Sequence, residues 1–291
     1  RIFQYDSSTR STPSDTAVKA VVDSVISKTS ISKVSTYLES ENGTVQWWHL
    51  ISFLKQNLIY VNRALKFYWA SKFLQKTFSI KLPELTKNSF ILERDVLGLL
   101  YLSNVYLQSI SKLHHLYSTS INGFSFEKLC KILSIVNNSD LIGRGLEGPT
   151  LLLFSATPAR QTHRSGSGED LVYTFGGFTR LRWKDGPEYH GDSDCYIFSI
   201  APKFHNFFAL STPNADTNYL YLNSSGYGPI GLGNTPYLSA QILGFGGSMN
   251  NDFRIWVDGR DPGESYVHSE DNTYESGYLT DPRQSQLRVI F

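Results

Sequence analysis

The densest group of ionisable side chains lies within ten residues of the second half of the sequence. Carboxylate oxygens and an imidazole nitrogen can bind a metal ion or exchange protons, which is the chemistry that such a group would support. However, Gly186, Pro187 and Gly191 interrupt the segment, and such turns expose acids to solvent or to a partner. We therefore predict a solvated or partner-facing loop with no catalytic residue and no bound metal. The group comprises Asp185, Glu188, His190, Asp192 and Asp194.

The two cysteines, Cys130 and Cys195, stand far apart and form no CxxC pair. This usage is typical of a reducing compartment rather than of a disulfide scaffold. A catalytic cysteine needs a nearby base and electropositive surroundings, whereas Cys195 follows Asp192 and Asp194. The apolar run after Cys195 predicts a strand in which the thiol packs inward as a small hydrophobic group. Redox chemistry at Cys195 is kept as an alternative function.

Two further segments match part of a ligand-binding pattern. Residues 226–231 read G-x-G-x-x-G, but a turn follows where a dinucleotide site needs a helix, and Pro229 lacks a backbone N–H. Residues 38–49 have the outline of a calcium loop, but Leu38 and His49 stand where such a loop needs an oxygen ligand and a bidentate glutamate. We predict no cofactor and no calcium ion, and a calcium-responsive adaptor is kept as an alternative function.

The elements that must position these loops change type along the chain. Residues 1–16 are rich in Ser and Thr and predict a flexible arm. Apolar residues at helical spacing predict an all-α region over residues 17–115, whose last helix covers residues 96–117. From Thr150 onward, short apolar runs bounded by Gly, Pro and Asp predict strands packed as a sandwich, after a helix over residues 124–136. The fold class is therefore α+β.

Charge is distributed unevenly over the 291 residues, although the net charge is only +1. Residues 1–115 carry 14 Lys and Arg against 8 Asp and Glu, whereas residues 150–291 carry 10 against 15. Such an asymmetry is either ordinary solvated charge or a feature that serves association with a partner. The basic half has no Lys/Arg runs and no nucleic-acid motif, so we predict no nucleic-acid partner. We see no signal peptide and no stretch long enough to span a bilayer.

Seven short sequence motifs stand in and around the predicted strands: YSTSINGFSF at 117–126, GPTLLLF at 148–154, FGGFT at 175–179, Trp183, YHGD at 189–192, CYIFSI at 195–200 and FRIWVD at 253–258. In this order they resemble the motifs of the TLDc domain, the module of the oxidation-resistance proteins. The resemblance covers residues 116–291, preceded in some relatives by an EF-hand-like helical region. That family usually ends on a strand reading roughly V-W-G, whereas residues 287–291 read LRVIF, so we expect the closing strand to be incomplete or different.

The resemblance implies a β-sandwich domain that regulates the vacuolar-type proton ATPase (V-ATPase) by binding its catalytic head and peripheral stalk. It implies no catalysis, no small-molecule substrate, and a cytoplasmic location at vacuolar, lysosomal or other acidic-organelle membranes. An oxidative-stress protein with its own chemistry is the alternative that the oldest family label suggests. Whether binding activates, inhibits or disassembles the ATPase does not follow from the sequence.

Loop position, rather than the resemblance, supplies the expected binding residues. Polar loops held by a rigid sandwich offer a preformed surface at a small cost in ordering. The expected partner-binding residues are Asp185, Asp192, Asp194, Asn250, Asp252, Asp261 and Glu264. The expected core residues are Leu151, Leu153, Phe175, Phe178, Ile197, Trp256 and Val257.

Overall fold

The computed structural model describes part of the chain, which divides into two compact units. The described residues are 2–5, 52, 55–56, 58, 82–87, 91–92, 94–135, 149–158, 172–201, 203–210, 218–225, 241–247, 252–280 and 287–290. One unit comprises residues 1–4, 116–202 and 207–291, and the other comprises residues 5–115 and 203–206. Most of the region predicted as all-α lies outside the described residues, and so do the segments 38–49 and 226–231.

The described elements are mainly short strands. The strands are β1 (Ile2–Tyr5), β2 (Glu84–Leu85), β3 (Lys112–Tyr117), β4 (Thr150–Pro158), β5 (Tyr173–Thr179), β6 (Tyr196–Ala201), β7 (His205–Phe208), β8 (Leu220–Asn223), β9 (Ile242–Phe245), β10 (Ile255–Asp258), β11 (Tyr266–Val267) and β12 (Leu287–Ile290). The helices are α1 (Arg94–Ser103), α2 (Val105–Gln108), α3 (Thr119–Asn122) and α4 (Phe126–Ile135), with one 3₁₀ turn at Pro262–Glu264.

The longest strand, β4, organises the first sheet of the larger unit. On one side, β4 pairs antiparallel with β5 over seven residues, and β5 in turn pairs antiparallel with β6. On its other side, β4 pairs with two short strands. Ile2 to Gln4 pair with residues 152–150, and β12 pairs with residues 158–155. Residues 2–4, within the segment predicted as a flexible arm, therefore form a strand and pair with the same side of β4 as residues 287–290.

The second sheet has the order β11-β10-β9-β8, and each strand is antiparallel to its neighbour. Every second residue of both sheets points into one shared core, as expected for period-two strands packed face to face. This inner set includes Leu152, Phe154, Phe175, Ile197, Leu220, Leu222, Leu243, Phe245, Ile255 and Val257. The period-two geometry of the strands therefore sets which of their residues fill the shared core.

Gly177 lets the two sheets approach closely. A Cβ atom built on Gly177 would lie 2.2 Å from Cε1 of Phe245, a core residue of the opposite sheet. No side chain larger than hydrogen fits that position unless the ring moves. The second glycine of the FGGFT motif is therefore required by packing between the sheets.

Helix α4 covers one part of the sandwich core. Phe126, Leu129, Cys130 and Leu133 are buried and recur at the spacing of one helix face. The chain enters this helix through a turn fixed by Tyr117, whose hydroxyl donates to the carbonyl of Gly123 at 2.8 Å and accepts from the N–H of Ser125 at 3.1 Å. The predicted helix over 124–136 is thus confirmed with shorter bounds.

The predicted helix over residues 96–117 is wrong. In the smaller unit, Asn104 interrupts it, because its side chain accepts the backbone N–H of Tyr106 at 2.8 Å and starts a new helix, α2. Residues 112–117 form β3 instead, which pairs in parallel with β2. The apolar spacing of the segment fits both structures, and pairing with residues 84–85 decides between them. His114 and His115 therefore lie on a strand and not at a helix end.

The predicted core residues are all buried. Leu151, Leu153, Phe175, Phe178, Ile197 and Val257 have 0% exposure and Trp256 has 2%. Within the described residues, none of the helices combines the length and the hydrophobicity that crossing a membrane requires.

We expect Leu153→Ala to lower the free energy of unfolding by about 2–5 kcal/mol, because it leaves a cavity in a fully buried site. Leu210→Ala is the matched control, since Leu210 is 37% exposed and its truncation should cost far less. Urea unfolding followed by circular dichroism measures both. Equal losses for the two variants would contradict the assignment of Leu153 to the core.

Candidate functional site

The acidic loop between β5 and β6 is fastened to the second sheet along its length. The backbone N–H of His190 donates to the carbonyl of Leu220 at 2.9 Å, and the N–H of Leu220 donates back at 2.9 Å. The N–H of Gly186 donates to the carbonyl of Leu222, also at 2.9 Å. The loop thereby takes the place of a further strand beside β8, and the exposed acids project from a fixed backbone.

Asp185 is exposed, as predicted, and it also has a bonding role. One carboxylate oxygen accepts the backbone N–H of Ser224 at 2.8 Å, and the other accepts the hydroxyl of the same residue. The side chain therefore links the acidic loop to the residues that follow β8. An exposed carboxylate used in this way still contributes negative potential at the surface.

Asp192 and Asp194 are brought together by a residue that the sequence did not single out, Arg180. The Nε atom of Arg180 lies 2.8 Å from Oδ2 of Asp194, and its Nε and Nη2 atoms both donate to Oδ2 of Asp192 at 3.1 Å. The three side chains are 28–45% exposed. This ion triad closes the base of the loop and reduces its net negative charge. The sequence signal for it was an arginine directly after the FGGFT strand, and Arg182 stands two residues further on.

His190 lies against the ring of Trp183, edge to face, with 5.7 Å between ring centroids. Its Nε2 atom accepts the backbone N–H of Lys184 at 3.3 Å. Burial, reinforced by the charge of Lys184, lowers the pKa of His190 to about 4. The imidazole is therefore neutral near neutral pH and serves as a structural acceptor.

Both thiols are buried and free. Burial raises the pKa of Cys195 to about 11, although the thiol donates to the hydroxyl oxygen of Thr179 at 3.4 Å. Burial also raises the pKa of Cys130. A protonated and inaccessible thiol is a poor nucleophile, so the geometry does not favour the redox alternative at Cys195.

The second loop expected to bind a partner, residues 258–271, begins with aspartates that shape its turns. Oδ1 of Asp258 accepts the backbone N–H groups of Arg260 and Asp261 at 2.8 and 2.9 Å. Oδ1 of Asp261 accepts the N–H of Gly263 at 2.9 Å and caps the 3₁₀ turn, on which Glu264 is exposed. Asp261 and Glu264 thus share one turn, whereas Asp192 and Asp194 share Arg180.

Asp252 is partly buried, and its negative charge acts on two neighbours. It is among the groups that raise the pKa of Tyr189, after burial as the main cause. It opposes the lowering of the pKa of His268 that burial causes. Asn250, the remaining predicted residue, lies outside the described residues.

A buried ion pair, absent from the sequence prediction, lies beside these loops. Arg254 and Asp271 both have 0% side-chain exposure, and Nε of Arg254 is 3.9 Å from Oδ1 of Asp271. Burial lowers the pKa of Arg254 to about 10 and raises the pKa of Asp271. Phe207 packs its ring 5.0 Å from the guanidinium carbon. The sequence analysis included Arg254 only within the FRIWVD motif and predicted no ion pair for it.

The described residues contain no group of three His, Cys, Asp or Glu side chains close enough together to hold a metal ion. The arrangement instead gives two sets of acids on fixed turns, together with buried thiols and a neutral imidazole. Chemically, such a surface can attract and position positively charged groups of another molecule.

Comparison with known proteins identifies what the chain is similar to. A family profile described as the TLDc domain matches residues 85–290. The match begins before the expected boundary at residue 116; it starts at the second residue of β2 and includes all of β3.

The curated relatives carry the name MTOR-associated protein MEAK7. The mouse protein is 30% identical over 164 residues, which is 56% of this chain and 28% of the relative. The Xenopus laevis protein is 28% identical over 224 residues, which is 74% of this chain and 40% of the relative. The human protein is 29% identical over 150 residues, or 47% of this chain and 30% of the relative. The matched regions span well under half the length of these relatives.

We expect a soluble aromatic disulfide reagent to label neither cysteine in the folded protein and to label both after denaturation. Burial keeps both thiols protonated and out of contact with the reagent. Absorbance of the released thiolate measures the labelling. Rapid labelling of the native chain that is lost in Cys195→Ala would contradict this expectation and support the redox alternative.

The lowered pKa of His190 predicts a pH dependence of stability. Between the ordinary value of 6.5 and the folded value of about 4, the unfolded chain binds the proton more readily. Stability should therefore fall as the pH falls through that window, and His190→Gln should reduce the slope. Urea unfolding at several pH values measures it. A histidine ring resonance of His190 that titrates near pH 6.5 in the native protein would contradict the prediction.

Proposed function

Because the chain belongs to the TLDc domain family, we propose that it is a regulatory protein that acts by binding other proteins and not by catalysis. The observation that carries the proposal is the acidic loop, which β8, Ser224 and Arg180 hold in one conformation. A loop that is already ordered loses little conformational entropy when a partner binds. Its carboxylates then contribute to the rate and the specificity of association.

For the partner, we propose the V-ATPase, bound at the cytoplasmic face of vacuolar or lysosomal membranes. The support is the resemblance of this chain's motifs to those of the TLDc family, which implies action on that enzyme. The acidic loops would face a basic surface of the catalytic head or the peripheral stalk. Salt should weaken this attraction, because the carboxylates are at least partly exposed.

A second candidate partner comes from the names of the relatives, which are described as MTOR-associated. We propose an mTOR-containing assembly as the alternative partner for the same surface. Both partners are proteins, so the binding role itself does not depend on which is correct. The surface chemistry of the loops does not separate them.

The experiment that separates the two is affinity capture. The tagged chain is incubated with detergent-solubilised organelle membranes and, in parallel, with the soluble fraction of the same cells. Quantitative mass spectrometry then compares the enrichment of V-ATPase subunits with that of mTOR-containing assemblies. Enrichment of neither over a tagged unrelated β-sandwich would contradict the proposed partners.

We expect reversal of Asp192, Asp194 and Glu264 to lysine to slow association with the captured partner by about tenfold at low salt, because it removes electrostatic steering. The thermal midpoint should change little, since exposed ion pairs contribute about 0–1 kcal/mol. Surface plasmon resonance at two salt concentrations measures the association rate.

Two further variants control this experiment. Glu127→Lys reverses an exposed acid on α4, outside both loops, and should leave the rate unchanged. Reversal of Asp192 and Asp194 together with Arg180→Glu retains opposite charges within the triad but inverts its net charge, which separates loss of charge from loss of loop order. Association at the wild-type rate in the triple reversal would show that this face is not the binding surface.

A further inference from the structure

We infer that residues 268–277 form a cover over an edge of the first sheet, that Arg254 latches the cover, and that the cover opens as one unit while both sheets stay folded. The segment is a closed loop, because the backbone N–H of Gly277 donates to the carbonyl of Ser269 at 2.7 Å. Compact loops whose ends meet in this way are packed by their own internal contacts.

One side chain from β10's entry, Arg254, bonds three carbonyls of the cover. Nη1 of Arg254 donates to the carbonyl of His268 at 2.8 Å, and Nη2 donates to the carbonyls of Glu275 and Gly277 at 3.2 and 2.6 Å. The guanidinium thus bonds both ends of the cover. Since a guanidinium presents its donors in a fixed plane, the three carbonyls are held in register with one another.

Asp271 fixes the middle of the cover to the second sheet. Its Oδ2 atom accepts the backbone N–H of Gly247 at 3.1 Å and that of Thr273 at 2.9 Å. Gly246, directly after β9, has a φ of +66°, and a Cβ there would lie 2.4 Å from the same carboxylate oxygen. The carboxylate is therefore seated against a backbone that only glycine can provide.

The cover lies along residues 208–210, which continue from the last strand on that side of the first sheet. The N–H of Leu210 donates to the carbonyl of Thr273 at 2.9 Å, and the N–H of Glu275 donates to the carbonyl of Phe208 at 3.0 Å. The side chain of Glu275 accepts the N–H of Phe208 at 3.1 Å. The cover thereby satisfies edge groups that would otherwise be open to pairing.

The balance of polar and apolar contacts favours opening as a unit. When the cover opens, Arg254 and Asp271 regain the hydration that burial removed, which offsets part of the lost bonding. Of the cover's own large side chains, Tyr274 is fully buried; it belongs to the sandwich core, and its hydroxyl donates to the carbonyl of Tyr219 at 2.9 Å. Opening withdraws this one ring from the core and leaves the apolar strand residues of both sheets packed, so it costs less than unfolding of the whole domain.

Opening would release the backbone groups of Phe208 and Leu210. These groups could then pair with an extended segment of another protein by strand addition. This inference does not require the proposed V-ATPase partner, since it concerns a device within the fold itself.

Native-state hydrogen exchange of the whole chain tests the inference. With increasing urea below the unfolding transition, the amides of Gly247, Leu210, Thr273, Tyr274 and Gly277 should converge on one opening free energy. That value should be lower than the value for the β5 amides. Arg254→Lys should speed exchange of the cover amides by about tenfold or more, because one ammonium cannot replace three guanidinium hydrogen bonds, and should leave β5 exchange nearly unchanged.

Arg260→Lys is the matched control, since Arg260 is exposed and lies outside the cover, and it should change neither set of amides. Equal acceleration of the cover and β5 in Arg254→Lys would show that Arg254 stabilises the whole domain, which would overturn the inference. If that variant does not fold, the urea series on the unmodified chain decides alone. Cover amides that open with separate free energies, or with that of β5, would also overturn it.

Discussion

A guanidinium group without access to water is the constraint on which one side of this sandwich depends. The side chain of Arg254 is fully buried, and a buried charge is tolerated only where opposite charge and hydrogen bonds replace its hydration. Those replacements come from carbonyls at both ends of the cover and from Asp271 in its middle. The positions of β9, β10 and residues 208–210 are thereby linked through one charge.

The acidic loop shows a second way in which this fold uses polar groups. A loop expected to be solvated or partner-facing is hydrogen-bonded to β8 through His190 and Gly186, so that it protects the edge of the second sheet. The charges that give the surface its sign also hold the backbone that carries them. Binding and local structure therefore compete for the same carboxylates, and a partner must accept the loop in nearly the conformation that it already has.

Much of the sandwich could be predicted from sequence, because an apolar run bounded by turn residues is a local property of each strand. Phe175 and Ile197 were expected in the core and lie in it, whereas Leu151 is buried on the face of β4 opposite to the core residues Leu152 and Phe154. The helix over residues 96–117 was wrong, because its apolar spacing suits a strand equally well and pairing with β2 is not local. The ion pairs of Arg180 and Arg254 could not be predicted for a related reason. Their partners lie 12 to 17 residues further along the chain, and no periodic pattern of residue types marks such a pair.

The shared edge of β4 has a consequence for the order of folding. Residues 2–4 pair with residues 150–152, and residues 287–290 pair with residues 155–158, so neither contact can form until a long stretch of chain has been made. During synthesis, β4 and β5 can associate early, but half of the β4 edge has no strand to pair with until residue 290 has left the ribosome. Such non-local pairing slows folding, and an unpaired edge is a site where nascent chains associate wrongly. The growing chain therefore carries an unpaired part of β4 until β12 has been made.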